Sequence, residues 1–431
     1  MECEYTTWYN YTAMKETVHI IQAPPFWLKT PPLSLIYLKN YLKSKGINVK
    51  ILDLNFTLYK HLNYPLNNWL GLDDDFENNL FSMAEKNAPL ILESLYEEIK
   101  NSSFIGFSLL KRNTPFSFEL AKRIKDRFPD KKIIFGGPHA LTLKEKNKIS
   151  PSDYWIIGEG EQPLYEVLTK EKPHISCFKE LSNLDSLPFL DFEPLNPLKY
   201  SRSLPLLSSR GCPYACNFCS ERLLSHKFRH HSPKYIVEQI KYLISKYEIR
   251  NFVFCDSLIN YKTQWLEELC QLLIKNNLSI KWEAQARIKP DFPQELAYLL
   301  KKSGCFNLFV GLENGSDRML TLMNKGFNSI EAVEFLRKLK TADLHFEISL
   351  IFGYPQEEEK DYFQTLEFIK DNKNIIPKIA QVNPFVDYLG EFKDKFPTPQ
   401  GLRRVLGFIK FLQNEKIRYT KSFINNLIYE S

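Results

Sequence analysis

Short apolar runs alternate with amphipathic segments along most of this 431-residue sequence, and that alternation narrows the available folds more than any other feature. The first series of strands is predicted at Val18–Gln22, Val49–Leu54, Phe104–Ser108, Lys132–Phe135 and Tyr154–Ile157. Between them, Pro31 and Pro32 precede leucines 35, 38 and 42, which share one helical face that Gly46 ends. Further helices are predicted over Pro89–Lys100, near Phe116–Arg127, and through Lys170. Strands that alternate with helices predict a parallel sheet, here an α/β doubly wound (Rossmann-like) domain over residues 1–171. The segment Asn55–Asn87 has weak periodicity and reads as an insertion.

Residues 172–200 carry Pro173, Pro188, Pro194 and Pro197 without a clean period and read as a linker. A second series then begins, with strands predicted at Leu204–Ser208, Asn251–Cys255, Ile280–Gln285, Phe306–Leu312, His345–Phe352 and Ile379–Phe385. Six strands with connecting helices fit a partial β/α barrel over residues 201–386. A helical tail, residues 387–431, contains the amphipathic stretch Leu402–Gln413.

Glycines follow two strands of the first series, at Gly136–Gly137 and in Gly158-Glu159-Gly160, and Ser108 ends a third. Ligands of open parallel sheets bind at the carboxyl ends of the strands, where glycine lets the backbone come close. Tight turns are the plainer explanation for either glycine pair alone.

Directly after the first strand of the second series stands SSRGCPYACNFCSER, with Cys212, Cys216 and Cys219 spaced Cys-x3-Cys-x2-Cys. The other five cysteines are scattered, which fits a reducing cytosol, where a tight trio binds metal or does chemistry. Three readings are open. The trio could hold zinc with a fourth ligand from His226, His230 or His231. It could be unmetallated core cysteines, or it could hold a four-iron, four-sulfur cluster with one iron left free. No run of about 18 apolar residues occurs and the N-terminus lacks a secretory layout, so a cytoplasmic protein off the membrane is expected. A formal charge of +6 without a concentrated basic face argues against nucleic acid. The basic run His226–Lys234 reads as a solvated loop.

The cysteine spacing, with Phe218 before the last cysteine, resembles the radical S-adenosylmethionine (SAM) superfamily. The match extends through WEAQARIKPDFPQELAYLLKKSGCFNLFVGLENGSDRMLTLMNKG, which is similar to the barrel of that superfamily's cobalamin-associated branch. FGGPHA (Phe135–Ala140), IGEGE (Ile157–Glu161) and the APPFWLKTPPLSLIYLKNYL opening are similar to the cobalamin-binding domain of the same branch. The resemblance implies a [4Fe-4S] cluster on Cys212, Cys216 and Cys219, with SAM on its open iron. Phe218 would pack near the adenine, Arg287 would face the SAM carboxylate, and Glu313 would accept from ribose or amine. Asp256 would contact ligand or cap the next turn. Ser108, Gly136, Gly137, Gly158, Glu159 and Gly160 would hold cobalamin.

Departures from the pattern accompany the match. No Asp-x-His-x-x-Gly motif is present, and Asp53-Leu54-Asn55 stands near its place, so no protein histidine is expected on cobalt. His139 is a weak candidate for touching the corrin. Cys255-Asp256-Ser257 replaces the Gly-Gly-Glu of many relatives, Gln356 replaces the glycine after Gly-x-Pro, and Pro-Gly-Thr is absent.

The activity implied is methyl transfer to an unactivated carbon, through a 5′-deoxyadenosyl radical and methylcobalamin. Cyclisation or rearrangement with the same cofactors is an alternative. A zinc-stabilised corrinoid-binding module without turnover is another. The partners implied are a small-molecule or peptide substrate and an electron donor such as flavodoxin or ferredoxin.

Overall fold

A computed structural model describes residues 17–71, 74–145, 154–170, 175–177, 180–221, 227–387, 392 and 397–420. It contains two six-stranded parallel sheets and one small two-stranded ribbon. Strands β1 (Val18–Gln22), β2 (Val49–Asp53), β3 (Phe104–Ser108), β4 (Lys132–Gly136), β5 (Tyr154–Ile157) and β6 (Ile175–Cys177) build the first sheet in the order β2-β1-β3-β4-β5-β6. The chain adds β2 on one side of β1 and β3 on the other, so the strand order reverses between β1 and β3. A crevice opens at such a switch point, outside the carboxyl ends of the strands.

The segment 55–87, read as an insertion, is largely helical where it is described, in helices Leu54–Leu62, Leu66–Leu70 and Asp74–Asn87. Their cohesion comes from Trp69, Phe76, Leu80, Phe81 and Ala84, which are buried against Leu58. The helices are short and change direction, which blurs a period in the sequence. Strand β6 lies inside the stretch read as linker, where three residues are too few to show alternation. Residues 180–200 are a packed strap. Leu184, Leu187, Leu190 and Phe192 are buried, and Lys39 donates to the Asp191 carbonyl at 2.7 Å.

The second sheet runs β14-β13-β12-β11-β10-β7, all parallel, from β7 (Ser203–Leu206) and β10 (Asn251–Phe254) through β11 (Lys281–Arg287), β12 (Cys305–Glu313), β13 (Phe346–Phe352) and β14 (Ile379–Pro384). Neighbours in space are neighbours in sequence, the order a β/α barrel takes. Among the described residues, β7 and β14 are edge strands and the sheet is open. Helices cover its outer face. In helix Pro233–Tyr247, Ser232 caps the start by accepting from the Tyr235 N–H, proline occupies the first turn, and Ile236, Val237, Ile240 and Leu243 are buried. Each such side chain contributes about 1.5–3 kcal/mol of burial. Helix Pro399–Asn414 packs on β13 and β14 and closes that end.

Candidate active site

The cysteine loop hangs from a short stem after β7. Ser209–Arg210 (β8) pairs antiparallel with Arg229–His230 (β9), and Gly211 then turns the chain with φ +80°, a conformation that favours glycine. Asp256, at the end of β10, grips the stem from beneath. Its fully buried carboxylate accepts from the Ser208 N–H at 3.1 Å, from Ser208 Oγ at 2.8 Å, and from Ser209 Oγ. Burial pushes this carboxyl up to about 6 against those bonds. Asp256 therefore positions the stem. Its partners stand 47 and 48 residues away, on a different strand, which no local reading connects.

The loop itself is seated on the turn after helix Asp317–Leu322. The Asn217 N–H and side-chain amide donate to the Met323 and Leu322 carbonyls, and the Asn324 amide donates to the Ala215 carbonyl at 2.8 Å. Cys212, Cys216 and Cys219 are free thiols, and Cys216 is buried. Burial pushes the Cys219 thiol up to about 11 and raises Cys212 as well. Thiols held this way are poor nucleophiles at neutral pH, whereas a metal that replaces the proton makes them ligands. Among the described residues, no three His, Cys, Asp or Glu side chains converge as ligands to a single ion. A cubane requires no such convergence, since each thiolate binds a different iron. An all-sulfur donor set of three fits a [4Fe-4S] cluster.

Arg287 stands against a thiol, and Glu313 and Lys325 form a pair at the end of the neighbouring strand. Arg287, the last residue of β11, donates from Nη1 to Cys216 Sγ at 3.1 Å and lies 3.9 Å over the Tyr214 ring. Asn260 fixes its backbone from both sides, donating to the Arg287 carbonyl at 2.7 Å and accepting from its N–H at 3.0 Å. Glu313 ends β12 with φ +72°, at a bulge in the pairing with β13. Its carboxylate takes Lys325 Nζ at 3.3 Å and Ser349 Oγ at 3.1 Å. A methyl group on Gly311 would stand 2.4 Å from Glu313 Oε1, so glycine there lets the carboxylate fold back over the strand. Phe218 lies 5.6 Å from Lys325 Nζ and packs on the Met319, Met323, Tyr354 and Phe385 cluster. Tyr214, Asn260 and Lys325 were missed in the sequence. The only signal for Tyr214 and Lys325 was their place inside the quoted motifs.

A separate cavity of about 350 Å³ lies on the first sheet. Ser108, Gly136, Gly137, Gly158, Glu159 and Gly160 all line it, together with β1, helix Leu33–Ser44 and helix Glu161–Lys170. A methyl group on Gly137 would meet the Leu109 backbone at 2.7 Å, so the turn admits glycine alone. Leu207 and Arg210, from the stem of the cysteine loop, form part of the cavity wall.

Residues 206–369 match the model of the radical SAM superfamily. This stretch is a radical SAM domain. An uncharacterized methyltransferase of Pyrococcus horikoshii is 26% identical over 79% of this chain and 73% of its own length. Bacteriochlorophyllide d C-12(1)-methyltransferase of Chlorobaculum tepidum is 27% identical over 64% and 63%. Anaerobic magnesium-protoporphyrin IX monomethyl ester cyclase of Synechocystis is 22% identical over 78% and 67%. Among solved structures, OxsB, a cobalamin-dependent SAM radical enzyme with aquacobalamin and SAM bound, superposes with a TM-score of 0.65 at 18% identity. That superposition covers 93% of this chain and 56% of OxsB.

Two other expectations, a histidine that completes a zinc site and a solvated loop at Arg229, are corrected around the radical SAM domain. His231 bonds Asp185 at 3.1 Å and stacks on Tyr235, and His230 is turned to the His231 carbonyl and Lys262, so neither completes a zinc site with the thiols. His226 lies outside the described residues. Arg229, expected on a solvated loop, has a buried side chain paired with Glu159 at 2.5 Å. Glu159 thus faces arginines as well as the cavity. His139 bonds Thr114 at 2.7 Å. Asp53 caps helix Leu54–Leu62 and accepts from the Tyr200 hydroxyl. Among the described residues, no helix is long and apolar enough to cross a membrane.

Proposed function

We propose that this chain is a cobalamin-dependent radical SAM enzyme that methylates an unactivated carbon. The first sheet is read as a Rossmann-like cobalamin-binding domain and the second as a partial β/α barrel. One observation carries the reading: the stem of the cysteine loop, at Leu207 and Arg210, forms part of the wall of the glycine-edged cavity. Two ligand sites that share a wall suit chemistry in which two cofactors act on one substrate.

When bound, the cluster supplies the electron that cleaves SAM and the corrinoid carries the methyl group. The chain's own residues bind and orient. Cys212, Cys216 and Cys219 hold the cluster. Arg287 presents a planar fork of donors suited to the SAM carboxylate. Glu313 offers an acceptor for ribose hydroxyls or the amine, steadied by Lys325 and Ser349. The cavity on the first sheet would take part of the corrinoid, with Gly136, Gly137, Gly158 and Gly160 letting the backbone approach. The relatives' names divide between methyl transfer and cyclisation, and the product mass separates the two.

The test is anaerobic incubation with SAM, hydroxocobalamin, a low-potential reductant and metabolite extracts, followed by mass spectrometry. Methyl transfer gives 5′-deoxyadenosine, S-adenosylhomocysteine and a product heavier by one methyl group. Deoxyadenosine with a product of unchanged mass would replace it by rearrangement.

A further inference from the structure

The five residues before Cys212 are held from both sheets at once. From the second sheet, Asp256 binds Ser208 and Ser209. From the first, the Tyr37 hydroxyl reaches the Leu207 carbonyl at 3.5 Å, and Arg210 enters a pair of carboxylates. Its Nη2 donates to Glu161 at 2.6 Å, its Nη1 stands 3.3 Å from Glu159, and its guanidinium lies 5.2 Å over the Tyr37 ring. The cross-strand partner of Arg210 in the ribbon, Arg229, binds the other oxygen of Glu159 at 2.5 Å and the Leu181 carbonyl at 2.7 Å.

Both carboxylates belong to the Gly158–Glu161 loop, and the whole arrangement is nearly closed to solvent. The Arg210, Glu159 and Glu161 side chains are 12%, 11% and 4% exposed. Charges this far from water are worth far more to each other than surface pairs, and removing one partner leaves the others stranded. Gly160, between the two carboxylates, faces the end of the Leu38 side chain. Glu159, Gly160, Glu161, Tyr37 and Arg210 are also cavity-lining residues.

We infer that Arg210 is a positioning residue that couples occupancy of the first-sheet cavity to the set of the cysteine loop. A ligand in the cavity fixes Tyr37 and the Gly160–Glu161 backbone, which in turn fix both carboxylates. The Arg210 fork then locks the stem two residues ahead of Cys212. The cluster is held tightly only when the cavity is filled. This inference rests on the corrinoid reading of the cavity.

The test uses the full chain with its cluster reconstituted, hydroxocobalamin as the probe, and iron loss to a ferrous chelator as the readout, without turnover. Hydroxocobalamin slows iron loss from the wild type about fivefold or more, the range of coupling between distinct sites. Arg210→Ala abolishes that slowing even at hydroxocobalamin concentrations that saturate the variant, and Arg210→Lys restores part of it. Linkage supplies a variant-free check. The affinity for hydroxocobalamin must rise when the cluster is loaded, by the factor by which hydroxocobalamin raises the equilibrium affinity for the cluster. Binding of hydroxocobalamin with unchanged iron loss, or equal affinity with and without the cluster, overturns the inference alone. Absence of hydroxocobalamin binding overturns the corrinoid reading and the inference with it.

Discussion

The Arg287 guanidinium donates to the Cys216 sulfur across 3.1 Å, joining residues 71 positions apart in the chain. The same fork has further N–H groups for a carboxylate. Charge-assisted bonds of this kind contribute about 1.5–3 kcal/mol. Arg287→Lys, which keeps the charge and loses the fork, weakens SAM binding by roughly 10–100-fold. Equilibrium dialysis on the reconstituted protein reads this directly, with cluster absorption unchanged.

Asn260 is the residue that keeps Arg287 at the mouth of the sheet, through two backbone bonds of 2.7 and 3.0 Å. Asn260→Ala leaves a buried N–H and carbonyl unpaired, which costs about 2 kcal/mol or more. Urea unfolding shows the loss. SAM affinity falls along with it, whereas a substitution of similar cost remote from Arg287 leaves SAM affinity alone.

Gly353 has φ +77°, and a methyl group on it would stand 2.5 Å from the Gly401 Cα of helix Pro399–Asn414. Neither backbone has a flexible end that can yield. Gly353→Ala is expected to destabilise the fold by roughly 2–4 kcal/mol, from strain and overpacking together. Thermal unfolding measures it. An unchanged melting temperature would contradict the packing of this helix on β13.

Burial holds the His231 imidazole down at about 4, against the pull of Asp185. The unfolded chain takes up this proton near pH 6.5 and the folded chain only near pH 4, so stability falls as pH drops through that window. The loss from this group is roughly 3 kcal/mol. His231→Phe keeps the stacking on Tyr235 and removes the titration. The gap between wild type and variant therefore closes in the variant's favour by that amount between pH 6.5 and pH 4, as read by denaturant unfolding.

What was legible in the sequence was what local pattern encodes. Gly136–Gly137 and Gly158–Gly160 stood out because glycine after a strand is a backbone statement, and they line one cavity. Arg287 and Glu313 lie just at the ends of their strands, one or two residues beyond the apolar runs that mark β11 and β12. What was not legible depends on partners remote in sequence. Asp256 reads as either a ligand contact or a cap, because nothing nearby accounts for a carboxylate at a strand end, and Ser208 and Ser209 meet it only through the fold. Lys325 carries no local signal, since its carboxylate partner reaches it only through the bulge at Glu313. Arg210 carries none either, and Arg229 reads as part of a solvated loop, because their carboxylate partners lie just beyond a strand of the first sheet.

The most direct test of the account is the metal and corrin content of the protein purified without oxygen from cells supplied with cobalamin. The account predicts one cubane's complement of iron and sulfide and one corrinoid per chain. The iron should be lost from a variant with Cys212, Cys216 and Cys219 replaced by alanine, and the corrinoid kept, with its affinity weakened by no more than the coupling factor. Zinc without iron, or iron without any bound corrinoid, would contradict it.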